Sequence, residues 1–212
     1  GFYNGSYGRW FGEHKSAGID RIREKKPGLH TWVTSTSWSN MDAKFIKEMH
    51  GNIYTAKVNG IIPWAGIQRP PHWIGGDPNP GCAIQVNEDG TYNVRRGYYF
   101  YKQITRAGQP GMAVAETFAM DSEIAVIGFA ANATDHADAV VLINVDENER
   151  RIALNINGTR CSVFKAYRTV NEGNRDTNLG WEQYKAIGTF NVDDGRIVYT
   201  APPGSVTTFF AQ

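Results

Sequence analysis

Residues 29–65 read LHTWVTSTSWSNMDAKFIKEMHGNIYTAKVNGIIPWA, and three patterns succeed one another within them. Leu29-His30-Thr31-Trp32-Val33-Thr34 is short and rich in β-branched and aromatic residues, the composition of a buried strand. Met41, Phe45, Met49 and Ile53 then recur every four residues with Ile46 beside them, which predicts an amphipathic helix. Ser39 or Asn40 is placed to cap its start, and Asn59-Gly60 to end it. Ile61-Ile62-Pro63-Trp64-Ala65 is a second buried strand. Strand, helix and strand in this order predict parallel strands joined by a crossover helix.

The same pattern extends outward. His14 to Glu24 carries Ala17, Ile19 and Ile22 at helical spacing, and Pro27-Gly28 closes it. Downstream, Arg69 to Asn87 is dense in Pro and Gly and long for a connection, the kind of loop that is often functional. Gly97 to Ala107 reads as an aromatic-rich helix, closed by Gln109-Pro110-Gly111. Beyond Gly111 the pattern changes to short alternating runs: 112–118, 124–130, 139–145, 151–156, 162–170, 181–190, 196–200 and 206–210. Turn formers such as Asn157-Gly158, Asp194-Gly195 and Pro203-Gly204 separate them. This predicts an antiparallel β-sandwich and a domain boundary near 108–112.

Composition narrows the class. The chain has 212 residues with a formal net charge of +1 and mixed charges. No basic stripe points to nucleic acid, and no long apolar run predicts a membrane span. The two cysteines, Cys82 and Cys161, match no metal spacing and are read either as one disulfide or as buried thiols. Sequons at Asn4, Asn132 and Asn157 favour secretion. The opening Gly1-Phe2-Tyr3-Asn4, without Met, is read as a processed or truncated start. The ten Tyr, ten Phe and six Trp either fill large cores or in part line a cleft that stacks on sugar faces.

Four stretches together resemble clan A glycoside hydrolases, family 30 above all. Thr31-Trp32-Val33-Thr34 looks like the seventh strand of a (β/α)8 barrel, and Gly60-Ile61-Ile62-Pro63-Trp64 like the eighth. Tyr98-Tyr99-Phe100-Tyr101-Lys102-Gln103-Ile104 through Gly111 looks like the last barrel helix and its exit. Ala201-Pro202-Pro203-Gly204-Ser205-Val206-Thr207-Thr208-Phe209 looks like the closing sandwich strand. The resemblance implies that residues 1–110 are the C-terminal part of the barrel (strands six to eight and the final helix) and 111–212 a β-sandwich. It further implies retaining hydrolysis of a β-linked glycan or glycoside by two carboxyl groups about 5–5.5 Å apart.

Two departures qualify that expectation. The position of the attacking carboxylate aligns with Ser35, which reads as an engineered Glu→Ser change, a natural loss, or an ordinary loop serine in a shifted register. The strand for the acid/base is not in this chain; Asn87-Glu88 and Asn171-Glu172 sit in turn-like sequence. The expected partners are therefore a saccharide and the N-terminal portion of the same barrel, either a separate chain or a missing segment.

The resemblance also marks candidate substrate-binding residues. Tyr3, ending the sixth strand at Gly1-Phe2-Tyr3, either bonds the nucleophile or packs the rim. Trp64 is the candidate floor of the sugar subsite, with a core tryptophan as the other reading. Trp10 and Trp38 are each a sugar platform or loop packing. Gln68, Arg69, His72 and Trp73 follow the eighth strand, with Arg69 read as a ligand for a sugar hydroxyl or uronate, or as a surface ion pair. No metal and no cofactor are expected: phosphate loop and dinucleotide fingerprint are missing. A serine-hydrolase reading of Ser35 fails because the Gly-x-Ser-x-Gly elbow is missing. A non-catalytic carbohydrate-binding relative and a purely structural module stand as the other function classes. The expected compartment is secreted or extracellular, with lysosomal or periplasmic as variants.

Overall fold

The computed structural model describes residues 2–3, 16–38, 41–77, 81–170 and 182–212. Trp10, the sequon at Asn4, the predicted caps Ser39 and Asn40, and the Asn171-Glu172 turn lie outside these residues. The chain divides into two units, Gly1–Tyr98 and Tyr99–Gln212.

The first unit opens with β1 (Phe2–Tyr3), α1 (Ser16–Lys25), β2 (Trp32–Ser37), α2 (Ala43–Tyr54) and β3 (Gly60–Trp64). The strands form a parallel sheet in the order β1-β2-β3, as the strand–helix alternation predicts. Alternation along each strand decides what is buried. Val33 is fully buried with Ile19, Ala56 and Val58, and Ile61 packs against them. Trp32 and Ile62 point the other way and remain 48% and 46% exposed.

Arg23 ties the strand entries together. Its guanidinium donates to the carbonyls of Leu29 (3.2 Å) and Lys57 (2.7 Å), to Thr31 Oγ1 (3.1 Å) and to Asn59 Oδ1 (2.8 Å). Asn59 does not end a helix, contrary to expectation. α2 stops at Tyr54, and Asn59 instead brackets Thr31: its N–H donates to the Thr31 carbonyl (2.8 Å) while its Oδ1 accepts from Thr31 N (3.0 Å). At the other end of α2 the cap is Asp42, whose carboxylate accepts from Phe45 N at 3.0 Å. Asp42 has extended backbone just before the helix, which presents its side chain to the open N–H groups.

The Pro/Gly-rich stretch contains structure that its sequence does not announce. β4 (Ile67–Gln68), β5 (Ile84–Val86) and β6 (Tyr92–Val94) form a small sheet, β4 parallel to β5 and β5 antiparallel to β6. Strands of two or three residues are too short to show a period of two. The Asn87-Glu88-Asp89-Gly90 turn joins β5 to β6, with Gly90 at φ +81°. Bonds from Thr91 to the Asp89 carboxylate hold that acid below its ordinary value.

The division between the units falls inside α3 (Arg96–Ala107). β7 (Ala113–Ala115), β8 (Ile124–Ala130), β9 (Ala139–Asn144), β10 (Arg150–Asn155), β11 (Val163–Val170), β12 (Glu182–Asn191), β13 (Arg196–Ala201) and β14 (Ser205–Ala211) follow. A six-stranded sheet in the order β12-β11-β14-β9-β8-β7 and a β10-β13 pair are antiparallel throughout. They pack face to face: Leu154, Ile197, Tyr199 and Ala201 from the pair share one core with Ile124, Leu142, Phe164, Ala166 and Phe209. Phe209 meets Phe190 and Tyr199 edge to face, both at 5.4 Å between ring centres.

β14 is central and covered on both sides, so Val206 to Phe209 are all buried, the two threonines among them included. Thr207 bonds the Tyr199 hydroxyl on one side (3.1 Å). On the other, Thr208 Oγ1 meets the buried Gln103 amide at 2.6 Å, and Thr169 Oγ1 meets the same amide at 2.9 Å. β12 bulges against β11 between Arg168 and Val170. The bulge carries Tyr184 at φ +54° and stacks it on Tyr167, 4.8 Å between centres.

Arg168 and Glu182 bridge β11 and β12, with Arg168 Nη2 donating to Glu182 Oε1 at 2.9 Å. The Arg168 bond, with help from Lys185, holds the Glu182 carboxyl below its ordinary value. A folded pKa lower than the unfolded one stabilises fully above the unfolded glutamate value of about 4.3, and that contribution is lost as pH falls through the folded value. Urea unfolding at pH 7, 5 and 3 is therefore expected to show the stability advantage of the natural protein over Glu182→Gln shrinking with acidity. An advantage constant across that range would refute the assignment.

Candidate active site

In a parallel sheet, the loops beyond the C-terminal strand ends carry the functional groups. Here the register brings three of the predicted positions, Tyr3, residue 35 and Trp64, toward one such end. Tyr3 pairs with Thr34, Thr34 with Ile62, and Ser37 with Trp64. Tyr3 and Trp64 are the last residues of β1 and β3. Residue 35 lies one step past the Tyr3–Thr34–Ile62 row. The β2–β3 register shifts between Thr34 and Thr36, leaving Ser35 as the extra residue of a bulge. Bulges re-aim the chain and are frequent beside active sites. β2 also continues to Ser37, so Ser35 lies inside the strand rather than just after it.

Trp64 is 44% exposed, and the Trp64–Ala65 peptide is cis. The following segment is held in place: Ala65 N donates to the Gly81 carbonyl (3.2 Å), and Ala83 N to that of Ala65 (3.3 Å). Trp38 is buried at 8% exposure, and its ring lies 3.4 Å from where a Cβ on Gly97 would sit. Of the two roles open to Trp38 from sequence, packing is the one its burial fits.

Gln68 is also buried, at 3% exposure, in β4, and its carbonyl accepts from Gln85 Nε2 (3.3 Å). Sequence reading passed over this cluster. Cys82 is a buried free thiol donating to Gln85 Oε1 (3.5 Å), with Arg95 beside it. Burial pushes the Cys82 thiol up, against the opposing pull of Arg95 and the Gln68 backbone N–H. Cys161 is free as well, so the disulfide alternative is not realised.

Arg69, His72 and Trp73 share one tight loop. Arg69 Nη1 donates to the Ile74 carbonyl (2.9 Å). Trp73 N donates to the Pro70 carbonyl (3.0 Å), and Gly76 N to the Trp73 carbonyl (2.8 Å). His72 Nδ1 lies 3.8 Å from Glu88 Oε1, both side chains largely exposed, with Glu88 in the β5–β6 turn where its sequence puts it. Among the described residues, no cluster of three or more His, Cys, Asp or Glu side chains is arranged to hold a metal. No helix of the described residues is long and apolar enough to cross a membrane.

No protein-family model and no curated protein sequence matches the chain. Solved structures do. A GH30 endoxylanase from Clostridium papyrosolvens C71 is similar over 90% of this chain and 44% of its own, at 19% identity and TM-score 0.65. A glycoside hydrolase family 30 subfamily 8 xylanase, Xyn30A from Clostridium acetobutylicum, is similar over 89% of this chain and 44% of its own, at 19% identity and TM-score 0.66. An arabinose-bound MgGH51 α-L-arabinofuranosidase is similar over 99% of this chain and 36% of its own, at 9% identity and TM-score 0.69. The chain thus spans less than half the length of these structures, and its fold is similar to part of the family 30 glycoside hydrolase fold.

Proposed function

We propose that the chain is the C-terminal part of a retaining glycoside hydrolase acting on a β-linked glycan or glycoside. In this reading residues 1–110 are strands six to eight and the final helix of a (β/α)8 barrel, and 111–212 are its β-sandwich. The observation that carries it is the convergence of Tyr3, the Ser35 bulge and the exposed Trp64 at the C-terminal end of one parallel sheet. Trp64 is the floor of the sugar subsite, and Tyr3 stands beside the position of the attacking group. Similarity to the xylanase structures favours a xylan-like substrate. Secretion fits the sequons at Asn132 and Asn157, and an exported Bacteroides fragilis protein shares the fold at 12% identity and TM-score 0.65.

The sheet face bearing Trp32, Ile62 and Trp64 is 44–48% exposed at those residues. The interior of such a barrel is filled with side chains, so in this reading the remaining strands cover that face. They also bring the acid/base, and the chain by itself is inactive. Ser35 favours a second reading, a carbohydrate-binding relative without catalysis, because a serine hydroxyl is neutral and shorter than the carboxylate the chemistry requires.

Both readings require saccharide binding at Trp64. In calorimetry on the polypeptide that includes the other strands, β-linked xylo- or gluco-oligosaccharides are expected to bind. Trp64→Ala is expected to weaken them about tenfold, which corresponds to roughly 1.4 kcal/mol. Unchanged affinity would remove Trp64 from the site.

A further inference from the structure

The loop after β4 is built to hold one shape. Arg69 reaches across it to the Ile74 carbonyl, 2.9 Å away. Two backbone bonds, Trp73 N to Pro70 O and Gly76 N to Trp73 O, close successive turns along the loop. Pro70 is buried, and Pro70-Pro71 restrict the backbone where the loop begins. Gly76 presses on Pro70 so closely that a Cβ there would lie 1.9 Å from the Pro70 carbonyl oxygen. Gly75 supplies the left-handed backbone, at φ +74°, that returns the chain. The product is a compact loop that leaves Trp73 37% and Ile74 94% exposed, following the strand that ends in Trp64.

Large apolar side chains held out on a pre-shaped loop suit a ligand with flat apolar faces, because little ordering cost is left to pay on binding. Arg69 is exposed, and its Nη1 is bonded to its own loop's Ile74 carbonyl. We infer that Arg69 is a positioning residue and not a ligand for a sugar hydroxyl or uronate. With Gly76 it holds Trp73 as a preformed second sugar platform on the loop that follows β4. This rests on the saccharide-binding reading above and adds to it a role for Arg69, for Gly76 and for the shape of the loop.

Two measurements on the full-length protein separate the possibilities: amide hydrogen exchange of residues 70–76, and affinity for xylo- and gluco-oligosaccharides. Trp73→Ala is expected to weaken binding about tenfold with the rest of the protein unchanged. Arg69→Ala and Gly76→Ala are expected to speed exchange at the Trp73 and Gly76 amides tenfold or more. Each is also expected to weaken binding to the extent of Trp73→Ala. In Arg69→Lys, lysine should rescue less than fully, because its flexible ammonium lacks the planar, pre-organised donors of the guanidinium. Loss of affinity on Arg69→Ala with the loop still protected would overturn the inference in favour of direct ligation. A loop that opens with affinity unchanged would overturn the platform role. If the natural protein binds no oligosaccharide, the functional reading itself fails, and the exchange data alone then decide whether Arg69 staples the loop.

Discussion

Ser35→Glu, made in the polypeptide that supplies the remaining barrel strands, is expected to raise kcat/KM toward an activated β-glycoside on the order of 10⁴-fold or more, the scale lost when a covalent nucleophile is removed. The argument begins with the reaction. A retaining glycosidase forms a glycosyl–enzyme ester, which needs a carboxylate at the anomeric carbon and a second carboxyl group about 5–5.5 Å away to protonate the leaving oxygen. A serine hydroxyl carries no charge to offset an oxocarbenium-like transition state. The β2 bulge, the neighbouring end of β1 and the exposed Trp64 supply the backbone setting at residue 35. Initial rates with an aryl β-xyloside or β-glucoside are the measurement, with retention followed by the anomeric form of the first product. If the substituted protein binds saccharide and turns over none, the non-catalytic reading takes its place.

Phe209→Ala is expected to destabilise the second unit by about 3–5 kcal/mol, the range for truncating a fully buried aromatic. Phe209 has no exposed surface and lies on the central strand of the six-stranded sheet. Its ring joins Phe190 and Tyr199 in mutual edge-to-face contacts, so the substitution opens a cavity and breaks an aromatic cluster. Against a typical domain stability of about 5–15 kcal/mol, that loss leaves the unit marginal. Denaturant unfolding checks it, and Phe209→Leu, which keeps most of the volume, should cost clearly less. Equal small losses for both substitutions would show that the cluster is not the centre of the core.

Most of the architecture was legible because periodicity and punctuation are local. The four-residue recurrence from Met41 to Ile53 marks α2, and the Gly- and Asn-bearing turns separate the strands of the second unit near their observed ends. What stayed hidden depends on partners distant in sequence. Asn59 carries the same helix-ending signal whether it stops a helix or brackets Thr31, and only the parallel pairing of β2 and β3 decides which. β4, β5 and β6 are stabilised by one another and not by any pattern of their own. The candidate site divides in the same way. Exposure separates Trp64, which the sequence favours as a subsite floor, from Trp38, for which platform and packing stand even as sequence, because Gly97 leaves room beneath the second.

The sequence by itself determined the order of elements: buried strands alternating with amphipathic helices, then short antiparallel strands. The hydrophobic period and the turn residues are properties of neighbouring positions, so no fold is needed to read them. Tertiary structure alone decided that Ser35 sits on a bulge and that Trp38 and Gln68 are buried. It also decided that Arg69 spends a hydrogen bond on its own loop. Register, burial and side-chain direction are set by what packs across the sheet, and that is fixed only when separated segments of the chain meet.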